Sequence, residues 1–131
     1  MSDSVDEVTV RASGGAIRVR VTIPKTPHNL AAVLWRYDSN KQPVSNQPSG
    51  EFSRKDPEVP IGSASSVRDN FFLIEGAVLH NSDNPPVQYQ VEVAILQGQT
   101  VLHEQVPEGG SGQISDSDKA FAYRFHITEA P

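Results

Sequence analysis

The chain has no cysteine among its 131 residues. Disulfides, zinc–thiolate centres and thiol nucleophiles are therefore excluded, and the composition fits a reducing compartment. A basic surplus is missing too. Eleven Lys and Arg stand against sixteen Asp and Glu, for a formal charge of −5. Asp3, Asp6 and Glu7 supply three of those charges, so the remainder of the chain carries only −2, mixed in sign. Phosphate backbones need a stripe of cations, and none is present, so nucleic acid is not an expected partner. No apolar run approaches the roughly 20 residues of a membrane span. The N-terminal Met-Ser-Asp-Ser-Val-Asp-Glu has neither the basic start nor the apolar stretch of a secretory signal. The expectation is a soluble cytoplasmic protein with no membrane partner. There are no internal repeats at a solenoid or propeller period.

What is present is a period of two. Residues 16–23, AIRVRVTI, place Ile17, Val19, Val21 and Ile23 on one side and Arg18, Arg20 and Thr22 on the other. A strand alternates its side chains between faces, so this reads as a strand with one dry and one wet face. Residues 87–95, VQYQVEVAI, repeat the pattern with Gln88, Gln90 and Glu92 outward. Residues 121–128, FAYRFHIT, do so with Arg124, His126 and Thr128 outward. Residues 5–12 are a weaker strand carried by Val8 and Val10. In 71–79, FFLIEGAVL, both parities are apolar apart from Glu75 and Gly76. That predicts a central strand, or one covered on both sides over part of its length. Gly76 inside it signals a bulge or a close backbone approach.

Turn residues separate these runs. SGG at 13–15 divides the first two strands. QGQ at 97–99 reads as a tight hairpin with Gly98 at positive φ. DSNK at 38–41 reads as another turn. TPHNLAAVLWRYD allows a helix capped by Thr26 with Pro27 at its first position, but the β-rich Val33–Tyr37 favours a strand over 31–37. Residues 42–70, with four prolines and two glycines, predict an irregular loop or edge region, with short edge strands near 51–54 and 59–62. The count is seven or eight strands. The expected fold is all-β: one antiparallel β-sandwich domain over 1–131, immunoglobulin-like or jelly-roll-like, with at most one short helix and a flexible stretch at 1–4. A chain of this length buries roughly two-thirds of its unfolded surface and needs no staples.

Catalytic signatures are scarce. His28, His80, His103 and His126 show no helical i, i+4 pair, and His103-Glu104 lacks the residues a zincin helix requires. No Gly-x-Ser-x-Gly elbow is present, GGSG at 109–112 reads as a flexible loop, and no Gly-rich stretch carries the Lys-Ser/Thr of a phosphate loop. Oxygen donors do gather in loops. Asp83 and Asn84 lie in HNSDNPP at 80–86, Asp116 and Asp118 in SDSD, Asp38 and Asn40 in DSN. If strands alternate up and down from residue 71, the 80–86 turn and the 108–120 loop fall at the same end. Asp83, Asn84, Asp116 and Asp118 are then candidate ligand-binding residues, and Asp83, Asp116 and Asp118 candidate calcium ligands. Turn formation alone also accounts for all of them. Calcium is the one cofactor considered; otherwise none is expected.

Trp35, the only tryptophan, is expected in the core, since a sandwich buries large aromatics; exposed, it could stack on a sugar ring. Arg18, Arg20, Arg124 and His126 form an outward basic patch if their strands are neighbours. The function expected is a non-enzymatic binding or interaction module with a protein, small-molecule or glycan ligand. A self-assembling protein pairing through edge strands, a homo-oligomer, is the alternative. A small β-fold enzyme is the third reading.

Overall fold

The structure is a computed structural model that describes residues 5–24, 28–80 and 86–130. Eleven strands and one helical turn follow in chain order: β1 (Asp6–Val10), β2 (Ile17–Thr22), β3 (Asn29–Tyr37), β4 (Gly50–Ser53), β5 (Glu58–Gly62), α1 (Ala64–Val67), β6 (Phe71–Leu79), β7 (Val87–Gln90), β8 (Glu92–Gln97), β9 (Thr100–Gln105), β10 (Ser111–Ile114) and β11 (Lys119–Glu129). They form a five-stranded sheet in the order β1-β11-β6-β3-β4, a four-stranded sheet β5-β2-β8-β9, and the pair β10-β7. All pairings are antiparallel except β1 with β11.

Period two explains the layering. On β2, Ile17, Val19 and Val21 are fully buried while the arginines between them are partly exposed. On β11, Phe121, Tyr123, Phe125 and Ile127 point inward. Inward side chains of both large sheets make one core, in which Phe72 stacks on Phe125 at 5.1 Å between centroids. Over Asn29–Tyr37 the choice between helix and strand resolves to strand, while the expected cap at Thr26 and Pro27 lies outside the described residues. β6 lies in the middle of its sheet, as its doubly apolar sequence demanded. Gly76 marks a close approach and not a bulge: its register runs unbroken against β3 and β11, and a Cβ there would meet the Ala31 carbonyl and Ala32. Gly98 takes its hairpin position at φ +58°. The irregular 42–70 stretch supplies two short edge strands, β4 and β5, joined by a corner in which Ser53 N–H donates to the Asp56 carbonyl at 3.0 Å.

Three expectations need correction. The 87–95 run is not one strand. It breaks at Val91, whose N–H donates to the Gly110 carbonyl at 2.6 Å, and its first part leaves the four-stranded sheet to pair with β10. GGSG is not wholly loop, since Ser111 and Gly112 open β10. With these pieces and the short edge strands β4 and β5 counted separately, the described residues hold eleven strands, not seven or eight. The expectation for residues 1–4 lies outside the described residues.

Two edges of the sandwich are closed by contacts between the sheets. The β4–β5 corner closes one. At the other, Asp6 Oδ2 accepts from the Tyr123 hydroxyl at 2.7 Å and lies 3.0 Å from His103 Nε2, tying β1 to β11 and β9. Gln97, 3% exposed, adds a second tie: its side chain accepts from Arg11 N–H at 2.8 Å and donates to the Arg11 carbonyl at 2.6 Å.

Candidate functional site

The two large sheets turn different outer faces to solvent. On the four-stranded sheet, Arg18 and Arg20 both grip Glu58, at 2.8 and 2.7 Å. These guanidiniums, Arg20 first, hold the Glu58 carboxyl below its usual range. Leu96 and Ala94 stand opposite the two arginines in the ladder and keep only 4% of their surface. Long cationic stems cover apolar neighbours in this way. This is a finished, wet face.

The outer face of the five-stranded sheet is different. Register places its side chains in rows across the strands, four of them over the middle of the sheet, between Thr9 and Thr128 at one end and Asn29 and Leu79 at the other. The first row is Glu7, His126, Phe71 and Tyr37. The second is Arg124, Leu73 and Trp35. The third is Ala122, Glu75, Val33 and Glu51, with Glu108 bridged to Ala122. The fourth is Ala120, Ala77, Ala31 and Ser53. Trp35, Tyr37, Phe71 and Leu73 are all partly exposed there. Trp35 is thus not in the core. It shares parity with Val33 and Tyr37, as its position requires, but that parity faces outward while Leu30, Ala32 and Leu34 fill the interior.

Local contacts hold this face in shape. Trp35 Nε1–H donates to Glu75 Oε1 at 3.1 Å, fixing the indole against the neighbouring strand. Phe71 stacks on His126 at 4.1 Å, and His126 Nδ1 is 2.8 Å from Glu7 Oε1. The Lys41 ammonium sits 5.1 Å above the Phe71 ring, a cation–π contact made by the 38–41 turn. Three shallow depressions of about 310, 660 and 530 Å³ run into one another across the face, the first two sharing Tyr37 and the last two Glu75. Residues 43–46 wall one side, beside β3, and Glu108 and Gly109 stand at the other.

The oxygen donors singled out in the sequence fare otherwise. Asp83 and Asn84 lie outside the described residues. Asp118 does come to the start of that turn, where Oδ1 accepts from His80 N–H at 2.9 Å and meets His80 Nδ1 at 2.6 Å. The His80 contacts hold its carboxyl below the usual range. Asp116 accepts from the neighbouring Ser115 hydroxyl at 3.3 Å. Asp38 is occupied by its own turn, accepting from the Asn40 and Gln42 amides. Among the described residues no three His, Asp or Glu gather as a metal site. The basic patch does not form either: Arg18 and Arg20 lie on one large sheet, Arg124 and His126 on the other.

The histidines are dispersed in pairs: His80 with Asp118, His103 with Asp6, His126 with Glu7. The Asp6 pair borders a recess of about 220 Å³. There the Tyr123 hydrogen bond, with His103 beside it, lowers the Asp6 pKa against the opposing effect of burial. Burial first, and then the nearby carboxylate, push the Tyr123 phenol far above its ordinary value. His28 is buried, its Nδ1 3.2 Å from the Leu79 carbonyl.

Phe71, Leu73 and the three alanines of the fourth row were not candidates from sequence. For Phe71, Leu73 and Ala77 the signal is the second apolar parity of 71–79, which predicts a central strand or one covered on both sides over part of its length; Ala31 and Ala120 carry no comparable signal. No family model matches the chain, and no curated protein or solved structure is detectably similar to it.

Proposed function

We propose that this protein is a non-enzymatic interaction module, and that its working surface is the outer face of the five-stranded sheet. One observation carries the reading: Trp35, Tyr37, Phe71 and Leu73 stand together, each partly exposed, on a face that no other described strand covers, while arginines and Glu58 occupy the β2–β5 side of the other large sheet. Contiguous exposed apolar surface with a polar rim is a usual mark of an interaction site, and Tyr and Trp are enriched at interfaces because they combine a large apolar body with a polar handle. The face is broad and shallow, which suits another macromolecule better than an engulfed small ligand.

Among the described residues the histidine–carboxylate pairs lie apart, and the one beside a recess, His103 with Asp6, has its carboxylate engaged by the Tyr123 hydroxyl; this supports the non-enzymatic reading, because a hydrolase needs its acid, base and nucleophile in one pocket. Among the described residues no helix is long and apolar enough to cross a membrane. A cytoplasmic site of action is part of the proposal and leans on the cysteine-free composition.

The test is a photo-reactive phenylalanine analogue installed at Leu73, with a control at the exposed Val101 of β9. Irradiation in the intact host cell is expected to give a discrete adduct from position 73 and none from position 101. Adducts from neither, or equally from both, overturn the reading.

A further inference from the structure

The partner can be named from the pattern of the face itself. We propose that a second copy of this chain covers it, through a two-fold axis lying in the interface, running across the strands and passing over the Tyr123–Ile74–Leu34 level. This inference rests on the reading of the outer face as the interaction surface.

An axis so placed reverses strand direction and lays each strand over its own counterpart. The first row then meets the fourth, and the second meets the third. Phe71 faces Ala77 of the second copy, Tyr37 faces Ala31, and His126 faces Ala120. The first-row side chains of β11, β6 and β3 each find an alanine in the fourth row. In the middle, Trp35 faces Val33, and Leu73 faces Glu75, whose carboxylate is held to the side by the Trp35 indole N–H. Arg124 faces Ala122, which has Glu75 on one flank and Glu108 on the other. Two-fold symmetry makes each contact occur twice, which is what a self-complementary interface requires.

Neighbouring registers lack this fit. Moving the axis over the second row sets Arg124 against Arg124. Moving it over the third sets Glu75 against Glu75. Moving it between the first two rows stacks Phe71 on Leu73 and Tyr37 on Trp35, large against large. Like charges facing each other, and bulk against bulk, both oppose association. The edge strands are poor alternatives, since β5 carries Pro60, β4 bends into the corner with β5, and β1 is clasped to β9 through Asp6 and His103.

Four rows on four strands cover roughly 25 by 20 Å, from the spacings of a pleated sheet. Both copies together then bury about 1,000 Å², below the standard range and in the class of weak, transient contacts. The dimer is therefore weak and reversible, and a dilution series that spans micromolar concentrations is where its dissociation is expected to show. Lys41, above Phe71 in the single chain, swings aside as the copies meet.

Sedimentation equilibrium on the full chain over a wide dilution series tests this, with thermal melts to report folding of each variant. The wild type is expected to move with concentration from 14.3 kDa toward twice that mass. Ala77→Phe sets Phe against Phe71 of the second copy and is expected to weaken the dimer about tenfold or more. Ala31→Tyr does the same against Tyr37, on an exposed strand position. Phe71→Ala weakens it by leaving a gap, and combining Phe71→Ala with Ala77→Phe restores most of the lost affinity. A folded double variant without recovery, or a dimer indifferent to both insertions, overturns the proposal. A wild type monomeric throughout, whose position-73 probe still gives adducts with another molecule, overturns the second copy while leaving the interaction surface standing. A monomer with no such adduct overturns both.

Discussion

Asp6 shows how one side chain can tie a sandwich together. Its carboxylate takes the Tyr123 hydroxyl from β11 and lies beside His103 of β9, so the N-terminal strand is held to both sheets at one atom. Tyr123 is buried at 7% exposure, and a buried hydroxyl left without its acceptor is costly. Asp6→Ala is therefore expected to lower unfolding free energy by about 1–3 kcal/mol at neutral pH, read by urea denaturation. The sign with pH follows from the lowered carboxyl. Its folded pKa lies below the ordinary 3.8, so the ionised carboxylate stabilises above that value and the contribution is lost as pH falls through the folded pKa. The gap between wild type and Asp6→Ala is expected to close on acidification. Nothing in the sequence pointed to this contact: Asp6 and Tyr123 are 117 residues apart, and a hydrogen bond between distant strands leaves no local pattern.

Strands left much clearer traces than sites. Alternation fixed the inward faces of β2 and β11, because a pleated strand with one buried face admits only one parity of apolar residues. The break at Val91 was illegible for the same reason. Apolar parity runs straight through it, and what divides the run is a backbone bond to Gly110 that no side chain announces. Trp35 exposes the limit of parity reasoning: alternation says which residues share a face, while tertiary packing decides which face is inside. Gly76 was legible as an exception, and the close passage of β3 beside β6 explains it. Gly76→Ala is expected to destabilise by about 1–3 kcal/mol, as overpacking does, because its Cβ would press on the Ala31 backbone carbonyl and Ala32. A lowered melting temperature with unchanged far-UV circular dichroism would agree. An unchanged melting temperature would mean the two strands part without cost.

The whole molecule is an asymmetric sandwich: one outer face carries the Arg18–Arg20–Glu58 cluster, the other a partly exposed group of aromatic and aliphatic side chains among charged ones. Asn, Asp and Ser in the loops drew attention in the sequence, but where described they are occupied by turns and by His80. The surface that stands out lies mid-sheet, built from residues whose neighbours are set by register. Rows of bulk at one end and alanine at the other become visible only once β3, β6 and β11 are aligned. Trp35 is the chain's only tryptophan and sits within that surface, so its emission reports whether the face is covered. Acrylamide quenching of Trp35 across a protein dilution series is the most direct test of a face covered by a second copy. Ready quenching and red-shifted emission are expected in dilute solution, with protection and a blue shift as concentration rises through the micromolar range, and with the protection abolished by Ala77→Phe. Quenching that stays the same at every concentration, or protection that survives Ala77→Phe, would contradict it.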